Sequence, residues 1–306
     1  MNRRNFLKTG SALSLAAPVS LAGAAPAEAA GSDTPPRLDI TWLGGATLLI
    51  RFGGLTLLTD PAFGEGKNAF QMANPNEMFD LAKGPNTIFH ERRTSFQGID
   101  LGEVDHLLLS HLHEDHFDQT AEAALPKEMP TLVPAHDLDA MREKGFSDLT
   151  RADWHKTHVL ETESASISIT AVPADHSEDP DISALLGPGN GYWLRFQQGG
   201  WSKTVYWTGD TFPTDTVLEA IKPLGSPDIL IPHMGGVGST GSLGQISMGA
   251  EHLKKFLAFT QPQKILPIHH STYALYLEPA SVLSKALEGV TQGLDLVSEG
   301  TRVSYL

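Results

Sequence analysis

Cysteine is absent from the 306 residues. That excludes disulfides, thiolate metal ligands, a cysteine nucleophile and a lipid anchor on an N-terminal cysteine. Basic residues are scarce: 22 Lys and Arg stand against 36 Asp and Glu, a formal charge of −14. A phosphate backbone needs a basic footprint, so the balance argues against nucleic acid as a partner. It does not forbid a small anionic substrate, because a bound metal supplies positive charge locally. Charged residues reach only 19 % and hydrophobic residues 41 %. That composition argues against disorder and allows a sizeable core. A Gly-x-Ser-x-Gly elbow is missing too, which leaves no signal for a serine nucleophile.

Residues 1–30 read as an export signal rather than as part of the fold. Asn2-Arg3-Arg4-Asn5-Phe6-Leu7-Lys8 carries a twin arginine, Ser11 to Ala25 is mildly apolar, and Ala27-Glu28-Ala29 is a small-x-small cleavage site. The pattern predicts twin-arginine translocation and a periplasmic mature protein. Asn2 stands where Ser or Thr usually precedes the arginines. The apolar stretch is short of the ~20 residues that span a bilayer, so no stable membrane span is expected in the mature chain. The translocation machinery is the one protein partner the sequence implies.

From 31 to 306 a single domain is expected. Leu38, Ile40 and Trp42 alternate with polar residues, the period of a half-buried strand. Thr47 to Phe52 and Leu55 to Thr59 flank Gly53-Gly54, a two-residue hairpin signal. Ala62 to Gln97 is long, irregular and dotted with Phe and Met, which predicts either a lid over a pocket or an insertion packed on the core. Afterwards strand and helix patterns alternate. Strands are expected at Val104–Leu109, Thr131–Pro134, Ser166–Val172, Asp228–Pro232 and Lys264–Ile268, with a second hairpin over Tyr192–Phe196 and Lys203–Trp207. Helices are expected at Gln119–Ala124, His136–Lys144, Thr216–Ile221, Met248–Phe259 and Pro279–Leu287. Hairpins followed by mixed β/α units predict two sheets with helices outside, an α/β class. The polar residues able to bind metal fall just past strand ends, where loops converge on one sheet edge.

Ser110-His111-Leu112-His113-Glu114-Asp115-His116-Phe117-Asp118 is the most specific signal. Histidines at i and i+2 can grip one metal, and the Asp-His pair that follows can swing to a second. Imidazole and carboxylate suit zinc, iron and manganese. The cluster directly follows Leu107-Leu108-Leu109, and a buried strand rarely ends in such a set of ionisable residues by chance. Asp210, in Gly209-Asp210-Thr211, presents a carboxylate after an apolar strand; capping the helix that follows is the other role open to it. Spacing alone leaves His176 open as ligand or surface residue, and leaves His269 open against His270.

The segment His111-x-His113-x-Asp115-His116 resembles the defining motif of the metallo-β-lactamase superfamily. The continuation Phe117-Asp118 looks like the branch that contains L-ascorbate-6-phosphate lactonase and the N-acylphosphatidylethanolamine-hydrolysing phospholipase D. Thr41-Trp42-Leu43-Gly44, Thr59-Asp60-Pro61, Gly209-Asp210-Thr211 and Pro267-Ile268-His269-His270-Ser271-Thr272-Tyr273-Ala274-Leu275 resemble other segments of that branch. Gly45, where the branch often has histidine, departs from it, as does His270, where the phospholipase has tryptophan. The resemblance implies a four-layer αββα sandwich and two divalent ions, with zinc expected and manganese or iron alternatives. It implies that His111, His113 and His176 hold the first ion, that Asp115, His116 and His269 hold the second, and that Asp210 bridges them. Asp210 and Asp115 are then the carboxylates of the catalytic centre.

Two close metals can share a hydroxide, because metal binding lowers the pKa of water, and that hydroxide attacks phosphorus or a carbonyl. The expected reaction is hydrolysis of a phosphodiester, with a small-molecule or lipid-like substrate. A lactonase or other ester hydrolase, a β-lactamase, and a non-catalytic metal-binding protein are the alternatives. His233, beside Gly235-Gly236, is expected to contact substrate or to be structural; His270 and Tyr273 are candidate oxyanion donors. His90, His106, His136, His155, His158 and His252 are expected to be structural or at the surface.

Overall fold

A computed structural model describes residues 35–306. The twin-arginine segment lies outside the described residues. Two seven-stranded sheets dominate. The first runs, in spatial order, Arg302–Tyr305, Leu38–Gly44, Thr47–Phe52, Leu55–Thr59, His106–Leu108, Thr131–Pro134, Leu149–Ala152. The second runs Gly293–Leu294, Lys264–Ile265, Ile229–Ile231, Trp201–Trp207, Gly189–Gln198, Ala165–Ala174, Thr157–Glu161. Each combines antiparallel hairpins on one side with parallel strands on the other.

The layers follow from strand alternation. Leu38, Ile40, Trp42, Leu48 and Ile50 of the first sheet meet Ile167, Ile169, Leu194, Phe196 and Val205 of the second in one buried cluster. Neighbouring positions point the other way. Leu43, Leu49 and Leu58 pack with Ala121 and Met141 of the helices Gln119–Ala124 and Leu138–Glu143. On the far face, Val172, Tyr206 and Leu230 meet the helices Asp215–Ile221, Ala250–Thr260 and Ala280–Ala286. Ala250, Leu253, Phe256 and Leu257 form the buried stripe of the second of these, the spacing of a one-sided helix. The result is the expected αββα sandwich. Full burial of each aliphatic or aromatic side chain contributes roughly 1.5–3 kcal/mol, so the three clusters fix the sheet edges rigidly.

Expected elements recur with small changes of boundary. Gly53 and Gly54 turn the first hairpin with φ of 56° and 89°. The segment from Ala62 to Gln97 packs part of its aromatics on the core, as the second of the two expectations had it, and carries a hairpin of its own. Phe70–Ala73 pairs with Thr87–His90 as a small separate hairpin, while Phe63 and Phe70 are buried at its root.

Candidate metal centre

The site is assembled where both sheets end. His111 follows the strand His106–Leu108, and a turn in which His116 N and Phe117 N both donate to His113 O at 2.9 Å folds Asp115 and His116 back. Asp118 closes the motif as a helix cap, accepting from Ala121 N at 2.7 Å, and also accepts from Gly64 N. His176 stands two residues past the strand Ala165–Ala174, and Asp210 three past Trp201–Trp207. Gly209 makes that last turn with φ of 61°, and a Cβ there would lie 2.4 Å from Asn190 O. Thr214, not Asp210, caps the following helix.

Two contiguous groups of ligand-type atoms result. His111 Nε2 lies 3.0 Å from His113 Nδ1 and 3.2 Å from His176 Nε2. His269 Nε2 lies 3.1 Å from His116 Nε2 and 3.2 Å from Asp115 Oδ2. Asp210 Oδ1 sits 3.3 Å from His116 Nε2 and 3.6 Å from His269 Nε2. The rings of His111 and His116 are 4.0 Å apart, so the groups abut. All seven residues that the superfamily resemblance singles out therefore converge on one place.

The far side of each ring decides which nitrogen faces inward. His116 Nδ1 is 2.7 Å from Asp60 Oδ2, His269 Nδ1 is 2.8 Å from Met234 O, and His113 Nε2 is 3.2 Å from Leu186 O. Ser110 Oγ donates to Asp60 Oδ2 and so accepts from His111 Nδ1 at 2.9 Å. Each outer acceptor calls for a proton on the outer nitrogen, which in the neutral ring leaves a lone pair facing inward. Lone pairs that crowd to about 3 Å repel one another unless a cation lies among them. Tetrahedral nitrogens ~2.0–2.1 Å from zinc stand at such separations, so the donor set fits a divalent ion. Rings oriented by outer acceptors are also the usual support of metal-ligating histidines.

The charges agree. Burial pushes Asp210 up, but His269 and His116 outweigh it and hold its carboxyl well below the usual range. Asp115 is likewise held at about 2: burial opposes ionisation, and His116 and His269 overcome it. Burial, with His116, His113 and His176 adjacent, drives His111 well down. Burial and His113 bring His176 to about 3. Neutral imidazoles and ionised carboxylates are the ligand forms a metal requires. At His116 and His269 burial is outweighed by Asp210 and Asp115, which raise both, so a metal would have to displace a proton from each of these rings, whereas His111, His176 and the two carboxylates already have the ligand form.

The cluster floors a cavity of about 480 Å³ lined by His113, Asp115, His176 and Asp210. Met72, Phe79 and Leu81 from the small hairpin wall one side, and Leu185, Leu186 and Val237 wall others. The hairpin and its connecting segment thus form one wall of the pocket.

The three residues expected at the substrate lie elsewhere. His233 is wholly buried behind Asp210, its Nδ1 3.0 Å from Oδ1 and its ring parallel to that of His269; it belongs to the second ligand group, not to the cavity surface. His270 turns away, 4.7 Å from the Trp42 ring, towards a separate cavity beside Glu299. Tyr273 is buried, its hydroxyl accepting from Arg92. Gly45 has φ of 53°, and a Cβ there would sit 3.0 Å from Tyr273 Cε2 and 3.4 Å from the Tyr276 hydroxyl. The two tyrosines fill the place of a side chain at 45. Asp60 is the functional residue that motif reading missed; its one signal was the Thr59-Asp60-Pro61 end of a buried strand.

Comparison with known proteins agrees with this architecture. The model of the β-lactamase superfamily domain matches residues 39–269. A metal-dependent hydrolase of Methylobacterium nodulans is 26 % identical over 87 % of this chain and 99 % of its own length. An N-acyl-phosphatidylethanolamine-hydrolyzing phospholipase D of Caenorhabditis elegans is 23 % identical over 82 % of this chain and 70 % of its own. The crystal structure of an isothiocyanate hydrolase from Delia radicum gut bacteria superposes with a TM-score of 0.67 at 22 % identity, covering 87 % of this chain and 99 % of that one. The domain match spans most of the chain, the fold is the four-layer sandwich, and this protein belongs to the metallo-β-lactamase superfamily.

Proposed function

We propose that this metal-dependent hydrolase works with two divalent cations and cleaves a phosphodiester that carries an apolar arm. His111, His113 and His176 would hold the first ion, Asp115, His116 and His269 the second, and Asp210, which contacts His116 and His269 of the second group, would bridge them. Zinc suits this nitrogen-rich set, and manganese or iron suits it as well. When bound, such a pair makes a nucleophile of water at neutral pH and stabilises charge on the attacked and leaving oxygens. The protein's own part is positional. Asp60, Ser110, Leu186 O and Met234 O hold the rings, and the hairpin and Leu185–Leu186 shield the reacting centre from solvent.

One observation carries the choice of substrate: apart from the cluster the cavity is mostly apolar, and among the described residues neither Lys nor Arg lines it. A β-lactam carboxylate or the phosphate of a sugar-phosphate lactone is an anion remote from the reacting carbonyl. It would enter this cavity without a counter-charge. A phosphodiester carries its charge at the reacting phosphorus itself, beside the cluster, and its arm can lie on Met72, Phe79 and Leu81. The reading also draws support from the likeness to the phospholipase D, whose name states hydrolysis of an acylated phosphatidylethanolamine.

The test compares kcat/KM for bis(p-nitrophenyl) phosphate, an acylated glycerophosphoethanolamine, a sugar lactone and nitrocefin on one metal-loaded preparation. The phosphodiesters should lead. A lead of more than tenfold by the lactone or nitrocefin, about 1.4 kcal/mol of transition-state preference, overturns the substrate. His111→Ala and Asp210→Ala should abolish turnover and lower the metal content while the circular dichroism stays native. If either keeps near-normal kcat with full metal, the site assignment fails. A preparation that takes up metal yet turns over no substrate would instead mark a binding protein on the same fold.

A further inference from the structure

The cavity contains one carboxylate that neither ligand group uses. Glu114 lies between His113 and Asp115 in the chain and lines the pocket, half-buried. Its neighbours in the lining are engaged: Asp115 with His269 at 3.2 Å, and Asp210 with His233 at 3.0 Å. Among the described residues the Glu114 side chain has no hydrogen bond or ion pair with another side chain. Lys144 is the nearby cation, and it is held by Glu122 at 2.7 Å.

A carboxylate at the border of an apolar pocket loses hydration, and here only its own backbone N–H and the charges of His113 and Lys144 return part of that loss, with no side chain bonded to it. Wild-type sequences carry such a group where a ligand supplies the partner. Here the missing partner is a cation, and the lining holds none. The same charge works as a filter, since an anion on the substrate's non-reacting part would face Glu114 uncompensated. We propose that Glu114 determines specificity by receiving a cationic group, an ammonium or quaternary amine, on the part of the substrate next to the reacting centre. On the phosphodiester reading above, on which this inference rests for its chemistry, the substrate is zwitterionic, a phosphodiester anion at the cluster and an ammonium beside Glu114, and so differs from an N-acylated ethanolamine, whose nitrogen is a neutral amide.

The experiment uses the metal-loaded protein and three p-nitrophenyl alkyl phosphodiesters of one chain length, the alkyl arm ending in trimethylammonium, hydroxyl or carboxylate. Wild type should favour the cationic arm over the neutral one by at least tenfold in kcat/KM, and disfavour the anionic arm. In Glu114→Gln, which keeps the shape and removes the charge, the cationic-to-neutral ratio should fall to within about twofold. A wild-type ratio near one, or a ratio that survives the substitution, overturns the proposal. Titration calorimetry of hexyltrimethylammonium on wild type and Glu114→Gln, each with and without metal, supplies a readout that needs no turnover. Binding should be present in wild type and at least tenfold weaker in the variant. If no phosphodiester is cleaved, the phosphodiester reading fails, while the calorimetry still decides the role of Glu114.

Discussion

His116 Nδ1 lies 2.7 Å from Asp60 Oδ2, and both side chains are fully buried. Asp60 ends the strand Leu55–Thr59 with φ of 35°, a conformation that costs energy for a residue with a Cβ. The turn aims the carboxylate at three groups at once, since Oδ1 also accepts from Ser110 N and Oδ2 from Ser110 Oγ. Through these contacts one carboxylate orients the rings of His116 and His111, one from each ligand group.

Replacement of Asp60 should therefore weaken metal binding without touching a ligand. Outer partners of metal-ligating histidines are worth roughly 10- to 100-fold in affinity. Asp60→Ala should show a loss of that size in competition with a chromogenic chelator. Asp60→Asn, which keeps an acceptor, should lose less. Equal affinity in wild type and Asp60→Ala would show that the rings are held by other means.

Acid should destabilise the metal-free protein. Burial lowers His233 to about 3 and His270 to about 4, from an ordinary value of 6.5. The sign follows from proton counting. Between 6.5 and those values the unfolded chain binds protons that the folded chain refuses, so stability falls as pH falls through that window. His116 and His269 act oppositely, because burial is outweighed by Asp210, helped by Asp115, and both are raised. His270 is the cleaner probe because it lies outside both ligand groups. Each depressed histidine contributes up to about 1.4 kcal/mol per pH unit in its window. The stability of His270→Phe should therefore slope less steeply than that of wild type between pH 6.5 and 4. Parallel slopes in urea unfolding at each pH would contradict the assignment.

Much of this molecule was legible in the chain itself, and the reasons differ by element. The helix Gln119–Ala124 was clear because Asp118 supplies a local cap and a buried strand precedes it. His111, His113, Asp115 and His116 stood out because a recognisable motif follows a buried strand, whereas His176 and His269 were placed only by the superfamily resemblance. The helix Pro180–Leu186 was not, since it has no buried residue and so no apolar period to read. The strand Arg302–Tyr305 is defined by pairing with Leu38–Thr41 at the other end of the domain, a relation no local pattern carries. His233 and Tyr273 stayed open in the chain for the same reason. Their residue types suit a substrate contact, but tertiary packing turns one behind Asp210 and the other onto Arg92.

Export is proposed on sequence grounds alone, from Arg3-Arg4 and the cleavage pattern at Ala27-Glu28-Ala29. Twin-arginine substrates cross folded, so a metal can be chosen before export. Replacing Arg3 and Arg4 with Lys should leave the precursor in the cytoplasmic fraction, uncleaved. Undiminished periplasmic delivery of that double variant would count against the signal.

Arg92 anchors the cavity wall to the core, and its removal should cost more than any surface change. The side chain is fully buried and its NH2 reaches Glu299 Oε2 at 2.9 Å and Leu43 O at 2.7 Å. NH1 donates to Ala62 O at 3.2 Å and the Tyr273 hydroxyl at 3.4 Å, and the guanidinium lies 5.6 Å from the Tyr273 ring centre. These contacts join the base of the Phe70–His90 hairpin to the strand Leu38–Gly44 beside the metal cluster. Removing one member of a buried pair leaves the other charge unpaired, at a cost of about 3–5 kcal/mol. Arg92→Met keeps the aliphatic bulk and should lose stability on that scale in denaturant unfolding. Glu299→Gln should lose less, because the amide oxygen in the Oε2 position can still accept from Arg92 and Thr94 Oγ1, although Thr272 Oγ1 then faces the amide NH2 instead of an acceptor. If the hairpin wall depends on this anchor, Arg92→Met should also raise KM for substrates with long apolar arms more than for bis(p-nitrophenyl) phosphate. An equal change in KM for both would mean that Arg92 supports the fold alone and leaves the wall in place.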